Sequence, residues 1–173
     1  MNKIMVVGVS AGVGKSTFAK KLSENLSIPV YHLDRYFWEP GWIEAPPEIF
    51  ANIQLSLVKQ DNWIIEGNYG STFEIRADKA DTIIYLELPL SVCLYRVLKR
   101  WLSNIGNNRD DMGEGCPEKM DWVFLSFIIK TYYERKKTMS IRLTEFEQSS
   151  KNRTVYRLTN KREISNYTKN LNN

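Results

Sequence analysis

Cysteine is scarce in this chain. Cys93 and Cys116 are its only two, and their spacing builds neither a zinc site nor a disulfide framework. Free thiols in a reducing compartment are therefore expected. Long apolar runs are missing as well: none approaches the roughly eighteen residues that a membrane span requires. No export leader is expected from the amino end, where Met1-Asn2-Lys3 leads directly into the short run Ile4-Met5-Val6-Val7-Gly8, with no cleavage site. A cytoplasmic location is the expectation. Charge of one sign is not in large excess; the net charge of +4 suits a domain that handles polyphosphate as well as one that meets nucleic acid. Internal repeats and interdomain linkers are absent too. The 173 residues are read as one domain, 1–173, long enough to bury a sizeable core.

What is present begins with a clear pattern. Ile4 to Val7 is a continuous apolar run, as expected of a strand buried on both faces of a parallel sheet. A Gly-rich turn follows, then a helix over 16–26 with Phe18, Ala19 and Leu22 on one face, and a second strand at 30–33. Residues 34–47 read as a loop and 47–59 as a helix with Phe50, Ile53 and Leu57 at helical spacing. Further strands are predicted at 63–66, 82–86 and 154–158, and further helices at 90–102, 120–139 and 162–171. The polar, Gly-rich stretch 103–118 reads as a mobile loop. Strands alternating with helices predict a three-layer α/β fold around a five-stranded parallel sheet.

The strongest signal is Gly8-Val9-Ser10-Ala11-Gly12-Val13-Gly14-Lys15-Ser16-Thr17, placed after a buried strand and before a helix. Glycines let backbone N–H groups curl inward toward phosphate oxygens, and the next helix presents its positive end to the same charge. Gly12, Val13, Gly14, Lys15, Ser16 and Thr17 are the expected ATP-binding residues. Lys15 would reach the β- and γ-phosphates, and the Ser16 hydroxyl would ligate Mg²⁺. The spacing departs from the usual pattern. Counting back from Gly14 puts Val9 at the first glycine, with Gly8 one residue early. Either the loop is one residue longer, or Val9 replaces a glycine at negative φ.

Among phosphate-loop classes, a GTPase should carry Asn-Lys-x-Asp. Asn160-Lys161-Arg162-Glu163 only approximates it, after the last strand. Helicases and ring ATPases need more chain. A small kinase remains. Glu66 ends a Trp-Ile-Ile strand, where a carboxylate positions Mg²⁺ or merely caps the strand. Asp81 begins its strand, the wrong end of a parallel sheet, and Glu87 is a weaker candidate. Asp34, at the end of the second strand, is the candidate base facing the acceptor hydroxyl. His32 reads as a packed histidine. Arg96 and Arg100, one helical turn apart, would stabilise the transferred phosphoryl group or form a solvated face, and Arg109 and Arg135 would join them. The aromatics Tyr36, Phe37, Trp38 and Trp42 would stack a planar acceptor or cover the sheet edge.

These segments together resemble a known family. The loop 8–17, His-Leu-Asp at 32–34, Trp-Glu-Pro-Gly-Trp at 38–42, Trp-Ile-Ile-Glu-Gly-Asn-Tyr at 63–69, Cys-Leu-Tyr-Arg-Val-Leu-Lys-Arg at 93–100 and Asp-Met-Gly-Glu-Gly-Cys-Pro-Glu at 111–118 look like the bacterial topology modulation proteins, relatives of adenylate kinase. The resemblance spans about residues 3 to 165. It implies a nucleotide-kinase-like fold with an acceptor region after the second strand and an arginine-rich lid, here at about 101–119. Arg96 and Arg100 look like the paired arginines that open an adenylate kinase lid. Glu-Gly-Asn-Tyr at 66–69 stands where adenylate kinases have Asp-Gly-Phe-Pro-Arg, so the arginine that grips the acceptor phosphate is absent. Arg76 would substitute, or the acceptor is not AMP. The family name suggests an effect on DNA supercoiling, yet no residue pattern here supports direct nucleic-acid contact.

The expected function is ATP- and Mg²⁺-dependent phosphoryl transfer to a small acceptor, a nucleotide or nucleoside among the candidates. Lys15, Arg96, Arg100 and Asp34 are its catalytic residues, and Ser16 and Glu66 its metal residues. The alternative is an ATP-binding regulator that affects DNA topology indirectly. Oligomeric state is not readable.

Overall fold

The computed structural model describes residues 1–104, 111–117 and 121–170. Apolar runs without a polar face make the centre. β1 (Lys3–Gly8), β5 (Trp63–Glu66) and β6 (Thr82–Leu86) bury every residue but Lys3, which a strand covered on both faces requires. With β2 (Val30–His32) and β7 (Thr154–Leu158) they form a five-stranded, wholly parallel sheet in the order β2-β5-β1-β6-β7. Ile4, Ile64, Ile65, Ile83 and Ile84 are all fully buried in it. Removing such a side chain from water stabilises by about 1.5–3 kcal/mol.

Helices α1 (Lys15–Leu26), α3 (Pro47–Leu57), α4 (Phe73–Ala77), α5 (Leu90–Ser103), α6 (Trp122–Gln148) and α7 (Lys161–Asn170) connect or flank the strands. α1 buries Phe18, Ala19 and Leu22, the face read from the sequence. The expected three-layer α/β fold is the observed one.

Three stretches differ from expectation. Residues 34–47 are not a plain loop: a short helix α2 (Asp34–Phe37) is followed by a two-stranded hairpin, β3 (Trp38–Glu39) and β4 (Ile43–Glu44). Gly41 and Trp42 turn it at positive φ, 82° and 66°. Residues 70–77, without a prediction, form a 3₁₀ turn and α4. α6 runs nine residues beyond its predicted end at 139, because no Pro or Gly interrupts it and Leu143 and Phe146 continue the buried stripe of Tyr132 and Met139. Its first turn is held by Asp121, whose carboxylate accepts the Phe124 N–H at 2.6 Å. Of the predicted loop 103–118, residues 105–110, Arg109 among them, and 118 lie outside the described residues, as do 119 and 120.

The carboxyl ends of β1, β2 and β5 lie side by side, with Glu66 opposite Val6 on one side and His32 on the other. That edge is where a parallel sheet places its ligands.

Candidate active site

β1 delivers the chain into the loop 8–14. The Val9 N–H donates to the Leu86 carbonyl at 3.0 Å, continuing the β1–β6 ladder, and Val9 does not adopt positive φ. Gly8 is the position where a side chain will not fit: a Cβ would stand 2.7 Å from Val13 Cγ1 and 3.1 Å from the Leu86 carbonyl oxygen. Val9 thus stands at the usual first-glycine position without positive φ, as the second reading has it, and Gly8 just before it is the position closed to a side chain. Gly12 and Gly14 take φ of 77° and 104°. Gly12 also lies against α5, where a Cβ would collide with the Cys93 carbonyl oxygen.

Lys15 and Ser16 open α1, and both turn toward Glu66. Lys15 Nζ lies 3.9 Å from Glu66 Oε1, and Ser16 Oγ donates to Glu66 Oε2 at 3.2 Å. His32 Nδ1 lies 3.0 Å from the same Oε2 and donates to it, because a carboxylate oxygen only accepts. Glu66 is 3% exposed, so three polar partners from two other elements meet at one buried carboxylate. Hydroxyl and carboxylate oxygens side by side fit Mg²⁺, which prefers hard oxygen donors and keeps room for phosphate and water. No cluster of three or more His, Cys, Asp or Glu suited to a metal occurs among the described residues. Any Mg²⁺ here would thus depend on nucleotide phosphates for the rest of its shell. His32, read from the sequence as a packed residue, is packed, its side chain 12% exposed, and it also borders the cleft. The strand alternation that argued for packing misses that a strand's last residue borders the ligand edge.

Asp34 does not end β2; it opens α2, two residues past the end of β2 at His32. It still lies at the same sheet edge and lines the same cleft. The Tyr69 hydroxyl donates to Asp34 Oδ1 at 2.5 Å. Burial first, and then the Asp34 carboxylate, raise the Tyr69 pKa, so the phenol stays a donor. Sequence reading passed over Tyr69 and its neighbour Asn68, whose Oδ1 accepts the Gly8 N–H at 2.9 Å. Their position just past β5 was the available signal.

Arg96 and Arg100 both line the cleft from α5. Arg96 Nη1 donates to the Val13 carbonyl at 2.9 Å and lies beside Gly14, which fixes it to the phosphate loop. Thr17 lines the cleft next to Lys20 and Lys21. Arg76 is not there. Fully buried, it donates to the carbonyls of Gly67 at 2.8 Å and Tyr69 at 2.9 Å, so it braces the loop after β5 rather than reaching an acceptor. Burial pushes its pKa down to about 9, which leaves it charged at neutral pH. Asp81 caps the start of the sheet, accepting the N–H groups of Asn2 and Lys3. Glu87 pairs with Lys136 at 2.6 Å and does not line the cleft.

The aromatic cluster divides. Phe37 packs between Phe50, Tyr69 and Trp38, with ring centroids 4.7 to 5.1 Å away, and lines the cleft together with Trp38 and Trp42, which are 5.4 Å apart; Tyr36 does not line it. Residues 111–117 rest on this hairpin. The Gly41 N–H donates to the Gly115 carbonyl at 3.0 Å, and Trp42 Nε1 to the Pro117 carbonyl at 3.2 Å. Gly113 backs onto the Trp38 carbonyl with no room for a Cβ, and Cys116 is 1% exposed. The part of the predicted mobile loop that is described is thus docked. The whole cleft is large, about 1720 Å³, and contains every residue named as catalytic or metal-binding.

Phosphate loop, sheet order and cleft define a phosphate-loop fold of the nucleotide-kinase type. Solved structures agree. Shikimate kinase from Bacteroides thetaiotaomicron is similar over 97% of this chain and 94% of its own, with a TM-score of 0.58 and 16% identity. Shikimate kinase from Aquifex aeolicus vf5 is similar over 96% and 92%, with a TM-score of 0.56 and 16% identity. Shikimate kinase from Acinetobacter baumannii, solved in complex with shikimate, gives a TM-score of 0.52 at 13% identity over 99% and 90%. Compared by sequence, the chain matches no known family model and no curated protein. Of the resemblance to topology modulation proteins, only the nucleotide-kinase-like fold is supported. No helix among the described residues is long and apolar enough to cross a membrane.

Proposed function

We propose that the protein is an ATP- and Mg²⁺-dependent phosphotransferase acting on a small molecule with a hydroxyl group. The observation that carries this reading is the meeting of Lys15 and Ser16 on buried Glu66, in one cleft with Asp34. The kinase fold of the solved neighbours supports it.

In this reading the backbone of 12–17 cradles the phosphates of ATP, and Lys15 swings from Glu66 to the β- and γ-phosphate oxygens. Ser16 and Glu66 would hold Mg²⁺, Glu66 directly or through water, and the ion would supply positive charge against the phosphates. The acceptor oxygen attacks the γ-phosphorus, a new O–P bond forms, and the bond to the bridging β–γ oxygen breaks. Asp34 takes the acceptor proton and ADP carries away the electron pair. Arg96, held at the phosphate loop, and Arg100, one turn along α5, stabilise the charge on the equatorial oxygens. Tyr69 keeps Asp34 aimed. We read 101–119 as the lid, with 111–117 joining it to the acceptor hairpin.

The test is ADP release with Mg-ATP across a panel of nucleoside monophosphates, nucleosides and small hydroxyl compounds, with Lys15→Ala as the blank. Acceptor-dependent turnover on the order of 1–100 per second, lost in the variant, is the expected result. Tight ATP binding with no acceptor stimulation would instead favour an ATP-binding regulator.

A further inference from the structure

α5 and α6 turn one side to the cleft and another to solvent, and the solvent side is apolar. On α5, Leu94, Leu98 and Leu102 recur at steps of four; on α6, Trp122, Ser126, Ile129 and Tyr133 recur at steps of three and four. Trp122 is 85% exposed and Tyr133 72%, and Tyr95, Leu98, Leu102 and Ile129 are exposed as well. These six leave on the order of 700 Å² of apolar surface in water, which approaches one partner's share of a stable interface. Patches of that size mark interaction sites rather than ordinary surface.

Between the two helices lies a groove of about 340 Å³, walled by leucines of both helices and by Ile129, with Trp122 and Lys130 on either side of Ser126. One face thus carries a hollow and, beside it, a protruding aromatic ring. A two-fold interface requires that combination, because the same surface must supply both knob and hole. The charges beside the groove are lysines: Lys130, which lines it, Lys137 two turns further along α6, and Lys99 next to Leu98. Among the described residues none of the three pairs with a carboxylate; Glu87 is taken by Lys136, while Asp121 and Glu134 line the main cleft. Lysines would also suit an anionic bilayer, but a bilayer presents nothing shaped to fill a hollow.

We infer that this face of α5 and α6 is the interface of a two-fold dimer of the chain, with Ser126 at the axis. The order of residues along α6 fits that axis. Trp122 and Lys130 stand four residues to either side of Ser126, and Val123 and Ile129 three. Laid antiparallel on its own copy, α6 sets its smallest groove residue against itself at the closest approach and Val123 against Ile129. Lys130 then meets the Trp122 ring of the second copy, a cation–π pair that leaves no lysine buried against a lysine. The outer stripe of α5, Leu98 and Leu102, flanks the contact. The same two helices lead into and out of 101–119, the stretch read as the lid, so the dimer holds both roots of the lid. The inference stands apart from the kinase reading and goes beyond it.

Sedimentation velocity of the full chain, from low to high micromolar concentration, reads the association directly. The expected result is a concentration-dependent species of about twice 20.2 kDa. Ile129→Glu places a charge inside the contact and should weaken the dimer ten-fold or more. Its binding of a non-hydrolysable ATP analogue should be unchanged, which shows that the variant folds. Ser126→Cys should form a covalent dimer under mild oxidation by copper phenanthroline. The parent chain should not, because Cys93 and Cys116 are buried, and neither should Ser56→Cys on the exposed side of α3. A monomer at every concentration overturns the inference, as does a dimer that neither responds to Ile129→Glu nor cross-links through Ser126→Cys. A dimer that responds to Ile129→Glu without cross-linking keeps the face and overturns the axis. A monomer that sediments with phosphatidylglycerol vesicles, but not with phosphatidylcholine ones, overturns the dimer and gives the face to an anionic bilayer. Kinase turnover, present or absent, alters none of these results.

Discussion

Glu66 is 3% exposed and meets Lys15, Ser16 and His32, so removing its charge separates functions that share one carboxylate. Glu66→Gln keeps the size and one oxygen but loses the attraction for a cation. The expected outcome is a fall in acceptor-dependent turnover of roughly 100-fold, with a raised Mg²⁺ requirement and a small change in Tm. A Mg²⁺ titration of ADP release at saturating ATP reads it. Tyr69 gives a second residue-scale prediction. Tyr69→Phe keeps the ring packed on Phe37 and Phe50 and removes only the donor to Asp34. On the proposed reading turnover should fall about ten-fold while binding of the ATP analogue stays unchanged, because the hydroxyl there serves Asp34 rather than the phosphate loop.

Two glycines set the elements against one another. Gly12, at φ 77°, leaves no space between the phosphate loop and the Cys93 carbonyl of α5. Gly12→Ala must move that loop or the helix, and a loss of about 1–3 kcal/mol is expected. For a chain of this size that is a Tm drop of roughly 2–12 °C, readable by thermal melting. Gly113 does the same for the hairpin 38–44 and the segment 111–117. Gly113→Ala should undock that segment, exposing it to limited proteolysis and raising the acceptor KM without altering ATP binding. The elements themselves were largely legible. Apolar runs marked the buried strands, and α1 and α5 appeared within a residue or two of their bounds. Legibility failed where local signals were short. A hairpin pairing only four residues has no usable periodicity, and the far third of α6 was visible only through Leu143 and Phe146.

Across the whole molecule, the cleft depends on a loop braced from inside. Arg76 ties the carbonyls of Gly67 and Tyr69, and through Tyr69 it supports Asp34. Arg76→Met keeps the bulk and leaves two carbonyls unsatisfied, so a destabilisation of about 2–4 kcal/mol is expected by chemical denaturation. The sequence by itself determined the layered α/β plan, the phosphate loop with Lys15 and Ser16, and the candidacy of Glu66, Asp34, Arg96 and Arg100. These are local matters, since buried strands, Gly-rich turns and helix starts are specified by residues adjacent in the chain. Only the tertiary structure decided that His32 meets Glu66 and that Arg76 braces the backbone after β5. Each of those follows from contacts between residues 7 to 34 positions apart, governed by strand order and helix placement rather than by any pattern along the chain.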